Sequence, residues 1–250
     1  MTAPSQGLVA ERVTVRFGGL TAVSNVSLWI RPGELVGLIG PNGAGKTTFF
    51  NILSGTIAPT SGTLRIDGRE FAGRRPDHFA RAGIARTFQT PRVFGPMTVA
   101  ENVRFGRAFA GRRADHNPQV PGEVDDLLAF VGLRDDAEVE AAAITPARQR
   151  LLEIAMALST RPRLLLLDEV AAGLTEAEVQ RMAELIRRCR DELGLAVVWI
   201  EHAVGVIMRA VERVIVLHHG ELIADGPPGE VVRDAAVVEA YLGAPMEVAP

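Results

Sequence analysis

A glycine-rich segment between an apolar stretch and a helical pattern constrains this chain more than any other feature. The segment "GPNGAGKTT" matches GxxxxGKS/T, with the apolar "ELVGLIG" leading into it and a helical pattern following to about Ser54. Glycines let backbone N–H groups turn inward around phosphates, and the helix N-terminus adds the positive end of its dipole. A glycine-rich turn without a ligand is the alternative interpretation. We predict a nucleotide-binding loop made of Gly40, Pro41, Asn42, Gly43, Ala44, Gly45, Lys46, Thr47 and Thr48.

The lysine of this segment is the only one in the chain, because the other 26 of the 27 basic side chains are arginines. A compact ammonium fits a narrow phosphate-binding loop, whereas a planar guanidinium is wider and more rigid. We therefore expect Lys46 to contact the β- and γ-phosphates. The hydroxyl of Thr47, the next residue, is expected to bind Mg²⁺.

Strand-like and helix-like patterns alternate along much of the chain. Its 250 residues and 47% hydrophobic content suffice for one large domain, or for a core with a subdomain. Apolar strands such as "RLLLLD" and "LAVVWIEH" alternate with helical stretches at 176–193 and 203–210, which predicts an α/β fold with a parallel sheet. From about Thr98 to Leu158 the pattern is helical, with a polar loop near "GRRADHNPQVPGE". We interpret this block as an insertion into the core.

Composition and charge argue against several classes of protein. No apolar run approaches the ~18 residues of a membrane-spanning helix, and "MTAPSQGLVA" has no export signal. The single cysteine, Cys189, excludes an internal disulfide and fits a reducing cytosol. A net charge of −3 gives no support for nucleic-acid binding. The segment from Ser61 to Arg113 contains eleven arginines and four acidic residues, which favours a solvated face, with a surface for anionic lipid or a partner as the alternative.

Two acidic residues follow the apolar segment "LLLL". Asp168 would end a buried strand and can hold the Mg²⁺ shell, and Glu169 can polarise an attacking water as a general base. An acidic pair that only caps a following helix is the alternative. We favour the site interpretation because the strand order and the upstream glycine-rich loop place both residues at the same end of the sheet.

Gln89 and His202 also follow strands of the same predicted core, in "TFQ" and "IEH". Gln89 can reach the metal or the attacking water, and His202 can donate to the γ-phosphate. Taken singly, a Gln or His at the end of a strand is more often a surface residue or one with its hydrogen bonds satisfied. Their occurrence together with the glycine-rich loop and the acidic pair favours a catalytic role for both.

These segments, taken in order, resemble those of ATP-binding cassette (ABC) ATPases almost from end to end of the chain. The chain is most similar to ATP-binding subunits of importers for branched-chain and other hydrophobic amino acids, through "VRFGGLTAV", "GIARTFQTPRVFGPMTVAENV", "RLLEIAMAL", "LLLLDEVAAGLT" and "GELIADGPPGEV". The resemblance implies one ATPase domain over 1–250: a P-loop NTPase with a RecA-like parallel-sheet core, an N-terminal antiparallel β-subdomain and an α-helical subdomain inserted at approximately 90–158.

The resemblance also implies an activity and partners. The chain would hydrolyse ATP with Mg²⁺ in a head-to-tail dimer, with the ring of Phe17 stacked on adenine; a core phenylalanine is the alternative. Its partners would be transmembrane permease subunits, a second ABC ATPase subunit and, through the permease, an extracytoplasmic solute-binding protein. Its place would be cytoplasmic, on the inner face of the cell membrane. An ATPase of a lipid or lipopolysaccharide exporter, a non-transport ABC ATPase and a nucleotide-dependent regulator remain alternatives.

The segment "ITPAR" departs from the family pattern. In the family, LSGGQ or a near variant binds the γ-phosphate of ATP held by the opposing subunit. Here Thr145 keeps a hydroxyl, Pro146 lacks an N–H, and Ala147 adds a Cβ where backbone must approach a phosphate. Arg148 adds a positive charge to the helix dipole. We therefore expect Thr145, Ala147 and Arg148 to form a weakened contact with a partner's ATP, which favours a heterodimer over a homodimer.

Overall fold

The computed structural model describes residues 6–110, 117–202 and 204–242. The first five residues and positions 111–116 of the predicted polar loop therefore lie outside the described part. The strands, in chain order, are β1 (Leu8–Phe17), β2 (Leu20–Ile30), β3 (Leu35–Ile39), β4 (Ser61–Ile66), β5 (Arg69–Glu70), β6 (Ile84–Arg86), β7 (Leu164–Asp168), β8 (Ala196–Ile200), β9 (Arg213–His218) and β10 (Glu221–Gly226).

Helices connect and cover these strands. They are α1 (Lys46–Leu53), α2 (Pro76–Arg81), α3 (Val99–Ala110), α4 (Val124–Val131), α5 (Pro146–Ser159), α6 (Glu176–Asp191), α7 (Val204–Ala210), α8 (Pro228–Val231) and α9 (Ala235–Leu242), with a 3₁₀ turn at Arg134–Asp136. Within the described ranges, no helix is both long and apolar enough to pass through a membrane.

A six-stranded sheet in the order β10-β9-β3-β8-β7-β6 forms the centre of the molecule. Its strand pairs are parallel apart from β9 with β10. Every residue of β3, β7 and β8 is buried, because helices cover one face of these strands, and α1 and the second sheet cover the other. This explains why their sequences are continuous apolar runs, and it confirms the predicted α/β fold with a parallel core.

A second, antiparallel sheet in the order β2-β1-β4-β5 precedes most of the core. Irregular pairing between Ala10 and Val13 interrupts the β1–β2 register. Buried residues form two clusters, of which one lies between the two sheets and includes Phe49 and Phe50 of α1. The other cluster lies on the opposite face of the central sheet and includes Trp199. The glycine-rich loop thus begins at the end of β3, which lies between these two clusters.

The helices α3, α4 and α5 lie in sequence between β6 and β7, which are neighbours in the central sheet. The chain therefore leaves the sheet after Arg86 and returns at Leu164 to pair with the strand it left. This arrangement agrees with the predicted helical block between Thr98 and Leu158. The apolar side chains of α4 and α5 belong to the same buried cluster as Trp199.

Sequence patterns missed several short elements and overextended one. The helix α2 begins with Pro76 and has Asp77 in its first turn, both of which favour a helix start. The pattern "IARTFQ" is strand-like as far as Gln89, but β6 ends at Arg86. Thr87 still donates its N–H to Leu166 O at 2.9 Å, but the N–H of Phe88 donates to the Glu153 carboxylate instead of a strand.

Candidate functional site

The glycine-rich loop packs its backbone against two neighbouring segments. A Cβ on Gly40 would lie 2.1 Å from Leu217 O, and one on Gly45 would lie 2.5 Å from Ala22 O. Both glycines have positive φ, 153° and 97° respectively, a range that other residues rarely adopt. Only glycine therefore fits at these two positions. The loop reaches α1 with its first helical residue at Lys46.

Lys46 folds back over the loop that precedes it. Its Nζ donates to Gly40 O at 2.6 Å and to Pro41 O at 3.1 Å, and the residue is only 5% exposed. Burial lowers the pKa of Lys46, while the nearby carboxylates of Glu169 and Asp168 act in the opposite direction. Asn42, Gly43 and Thr47 are exposed beside it, so the loop offers an open polar surface around a buried ammonium.

Asp168 ends β7 and is 4% exposed. Its Oδ2 accepts a hydrogen bond from Arg86 Nη2 at 2.8 Å, and its N–H donates to Thr87 Oγ1 at 3.2 Å. Arg86 Nη1 also donates to Asn51 Oδ1 at 2.6 Å, which ties the end of β6 to α1. A charged residue inside the strand pattern "IARTF" was the available signal for Arg86. The sequence gives no means of identifying a partner 82 positions away.

Glu169 is the point at which the predicted catalytic side chains meet. Its Oε2 accepts from Gln89 Nε2 at 2.8 Å, and its Oε1 lies 2.7 Å from His202 Nε2. The backbone of Glu169 has φ 50°, a left-handed conformation that costs about 1–3 kcal/mol for a residue with a side chain. Its N–H donates to Ile200 O at 3.0 Å. The conformation turns a 7% exposed carboxylate toward Gln89 and His202 at the ends of β6 and β8.

The side chains predicted to bind a metal offer oxygen donors of the kind that Mg²⁺ prefers. They are the hydroxyl of Thr47, the carboxylate of Asp168 and the amide oxygen of Gln89, whose nitrogen already donates to Glu169. Among the described residues, no three His, Cys, Asp or Glu side chains are grouped to hold a metal ion. Such a sparse donor set suits a cation held mainly by water and nucleotide phosphates.

Two buried carboxylates next to the site were missed by sequence reasoning. Glu153 is 5% exposed, and its Oε1 accepts from the N–H of Phe88 at 3.0 Å and of Arg92 at 3.2 Å. Burial raises its pKa to about 7, against the effect of these two hydrogen bonds. Glu201 is 3% exposed and accepts from the N–H of Ala171 at 2.6 Å. An acid inside the apolar "LLEIAMAL" was the available signal for Glu153.

The segment Ile144–Arg148 lies at the start of α5, away from these contacts. Thr145 is the N-cap, and its Oγ1 accepts from Arg148 N at 3.4 Å, with Pro146 as first helical residue. The guanidinium of Arg148 lies 2.5 Å from Asp136 Oδ2, which holds that charge within the helical block. In the described part of the chain, no hydrogen bond or ion pair joins Thr145, Ala147 or Arg148 to the glycine-rich loop.

Phe17 is the last residue of β1 and is 49% exposed. The alternative interpretation as a core phenylalanine is therefore wrong. Leu20, at the start of β2, is 66% exposed beside the same turn. An exposed ring at this position leaves an aromatic face open for stacking. Cys189, by contrast, is fully buried, and burial raises its pKa to about 12.

Comparison with known proteins gave consistent results along the chain. Residues 23–172 match the family described as ABC transporter, and residues 221–246 match one described as branched-chain amino acid ATP-binding cassette transporter. The chain is 38% identical over 248 residues to the high-affinity branched-chain amino acid transport ATP-binding protein BraF of Pseudomonas aeruginosa, covering 94% of this chain and 97% of BraF. It is 39% identical over 252 residues to LivG of Salmonella typhimurium, which has the same description, covering 96% and 99%.

Solved structures show the same fold. The ADP conformation of MJ1267, an ATP-binding cassette of an ABC transporter, superimposes with a TM-score of 0.84 at 27% identity, over 95% of this chain and 99% of that one. A dimeric post-hydrolysis state of the ATP-binding cassette MJ0796, bound to ADP and phosphate, gives a TM-score of 0.75 at 25% identity, over 88% and 98%.

Proposed function

The chain belongs to the ABC transporter family of ATP-binding proteins, and we propose that it is the ATPase subunit of an importer for branched-chain or other hydrophobic amino acids. It is an ATP hydrolase of the ABC type. The observation that carries the importer assignment is the match of residues 221–246 to the branched-chain amino acid family, a segment separate from the ATP-binding motifs. That match argues against a lipid or lipopolysaccharide exporter.

We infer the following roles in ATP binding. The loop from Gly40 to Thr48 surrounds the phosphates, and the Nζ of Lys46 exchanges its carbonyl partners for β- and γ-phosphate oxygens. The ring of Phe17 stacks on adenine. Mg²⁺, when bound, neutralises charge on the β- and γ-phosphates. Thr47, Asp168 and Gln89 are the residues that would hold it.

Hydrolysis needs a base that is held in place before the water arrives. Glu169 fits this role, because Gln89 and His202 contact one oxygen of its carboxylate each. The carboxylate takes a proton from the attacking water, and His202 then donates toward the γ-phosphate. With its side chain 49% exposed, His202 can swing from Glu169 to a phosphate at the surface of the site. The intact trio argues against a regulator without hydrolysis.

Dimerisation completes the site in this proposal. Each ATP would lie between the glycine-rich loop of one subunit and Thr145, Ala147 and Arg148, or their equivalents, on the other. Since Pro146 lacks an N–H and Arg148 is held by Asp136, this chain offers its partner a weakened contact. We therefore propose a heterodimer with a second ABC ATPase in which this chain's own loop hydrolyses ATP.

We place this dimer on the cytoplasmic side of a cell membrane, attached to transmembrane permease subunits. The helical block at approximately 90–158 is the surface proposed to dock on them, and the permease would receive solute from an extracytoplasmic solute-binding protein. A cycle of ATP-driven closing and opening would then move the permease. The chain is not proposed to bind nucleic acid.

Co-purification from the membranes of the source organism tests this proposal. A tagged chain is expected to recover two permease subunits, a second ATPase and a solute-binding protein. In vesicles that contain the recovered assembly, leucine-loaded binding protein should raise ATP turnover, whereas the binding protein without solute should raise it less. Recovery of an exporter permease, or of no membrane protein, would overturn the importer assignment.

A further inference from the structure

The loop that carries Gln89 has few backbone partners of its own. It follows β6, and residues 88–94 belong to no helix or strand. Two of its N–H groups, those of Phe88 and Arg92, donate to the same oxygen of Glu153, at 3.0 and 3.2 Å. The carbonyl of Phe88 accepts from Arg150 Nη1 at 3.2 Å. Gln89 therefore sits between two backbone positions that α5 holds.

The helix α5 begins at the segment proposed to face the partner's ATP. Glu153 lies eight residues after the N-cap Thr145, which is about 12 Å along a helix. Most of the helix between them is buried or half-buried, so we expect it to move as a rigid body. A displacement of its N-terminus would then reach Glu153, and from there the backbone on both sides of Gln89.

Gln89 in turn holds the general base, since its Nε2 donates to Glu169 Oε2 at 2.8 Å. We propose that Glu153 is a positioning residue for ATP hydrolysis, which fixes the Gln89 loop and ties its placement to the helix that begins at Thr145. Through this connection, the contact of Thr145 with the partner's ATP sets the geometry of Glu169 at this chain's own ATP. The inference rests on the proposed dimeric ATPase.

The burial of Glu153 fits this role better than a packing role. The residue is 5% exposed, and its Oε2 has no hydrogen-bond partner although it is buried. A buried carboxylate with one oxygen unpaired destabilises the fold, and an apolar side chain would pack as well, so packing gives no reason for a carboxylate here. Both bonds that it does make go to the Gln89 loop. Burial also raises its pKa to about 7, because burial disfavours the charged carboxylate.

Three substitutions separate positioning from packing. Glu153→Ala removes both hydrogen bonds, Glu153→Asp keeps the charge on a shorter side chain, and Glu153→Gln keeps an oxygen that can accept both N–H groups. Ser159→Ala is the matched control, because Ser159 is a buried polar residue of the same helix whose hydroxyl donates only to Met156 O. We expect Ala and Asp to lower kcat at least about tenfold with the KM for ATP within about twofold, because small misplacements of catalytic groups have such effects. Gln and the Ser159 control should stay within about threefold of wild type.

Turnover is measured on the assembly recovered with the tagged chain, and hydrogen exchange of residues 87–92 is measured on the purified chain. Exchange in that loop should rise in Glu153→Ala and Glu153→Asp only. Wild-type kcat in both variants, or an unchanged exchange rate, would overturn the proposal. If Glu153→Ala does not fold, turnover and loop exchange in Glu153→Asp still test the proposal. An assembly without a permease would refute the importer assignment, whereas turnover and loop exchange would still test Glu153.

Discussion

Two regions of this molecule are proposed to contact ATP, and they differ in how many of their side chains are buried and hydrogen-bonded. Around the glycine-rich loop, Lys46, Asp168 and Glu169 are each buried and each hydrogen-bonded within the chain. At the start of α5, Thr145 is exposed and Arg148 is held by Asp136. One region is organised before any ligand arrives, and the other retains a hydroxyl, one amide and a helix dipole.

This difference indicates where the chain can bear sequence change. The first region depends on long-range contacts, such as Arg86 with Asp168 and Gln89 with Glu169, so that one substitution affects several partners. The second region is a local helix start, which tolerates proline as first helical residue and alanine next to it. In the proposed dimer, the region with long-range contacts would bind this chain's own ATP, and the region at the start of α5 would contact the partner's ATP.

The largest expected effect is that of Glu169→Gln. The amide keeps the shape of the side chain but cannot take a proton from water, so turnover should fall about 10²–10⁴-fold. ATP should still bind and should hold the dimer closed, which size-exclusion chromatography with ATP and with ADP would show. Unchanged turnover would mean that Glu169 is not the general base. The first region could then no longer be described as organised for hydrolysis.

Lys46→Ala should abolish ATP binding, because a cation that faces the β- and γ-phosphates is lost. We expect at least about a hundredfold weaker affinity in equilibrium binding, in line with the loss of a charge-assisted contact in a buried site. Lys46→Arg should be almost as weak, since a guanidinium is wider than the ammonium that donates to both Gly40 O and Pro41 O. Binding by Lys46→Arg close to that of the wild type would contradict the size argument for the single lysine.

The raised pKa of Glu153 makes a prediction about stability, since this residue connects the two regions. Its pKa rises from 4.5 in the unfolded chain to about 7 in the fold, with Arg150 and Arg92 as the charged groups that face it. Between these values the folded state holds more protons, so the Glu153 contribution to unfolding free energy falls with rising pH, by up to about 3 kcal/mol. Urea unfolding from pH 4.5 to 8 should show Glu153→Gln gaining on the wild type over this window. Ser159→Ala should run parallel to the wild type, and parallel behaviour of both would refute the shift.

Much of the first region could be predicted from sequence, because its parts are local patterns. The loop from Gly40 to Thr48, the strand before it and the helix after it are contiguous, and "LLLLDE" and "IEH" carry their side chains at strand ends. Parallel strands bring such ends to one edge of the sheet. The structure places Gln89, Glu169 and His202 within hydrogen-bonding distance, although their roles in catalysis remain predictions.

The supporting contacts could not be predicted, because each joins residues far apart in sequence. Glu153 reaches Phe88 across 65 positions, and Glu201 reaches Ala171 across 30. Hydrophobic periodicity identifies the helix that carries Glu153, but it treats an acid on a buried face as an exception. It says nothing about which backbone N–H will meet that acid. The same limit applies to Arg148, whose charge is held by Asp136.

Restoring glycines tests the second region directly. The double variant Pro146→Gly with Ala147→Gly adds one N–H donor and removes the proline ring and the alanine Cβ, and we expect about tenfold faster turnover by a homodimer of this chain. Pro76→Gly is the control, because Pro76 also occupies the first position of a helix but lies at the start of α2. Rapid turnover by the unmodified homodimer would show that the altered segment is already sufficient, and it would remove the argument for a heterodimer.

The smallest expected effect separates the helix-capping role of Thr145 from its proposed phosphate contact. Thr145 and Thr175 are both N-caps whose Oγ1 accepts from the N–H three residues later, at 3.4 Å in each case. Alanine at either position should therefore lower the unfolding free energy by about 1 kcal/mol, which urea titration measures. Only Thr145→Ala should also slow turnover by the dimer, about fivefold, because Thr175 starts α6 and is given no phosphate contact. Equal losses of stability with equal turnover would show that Thr145 only caps its helix and makes no contact with phosphate.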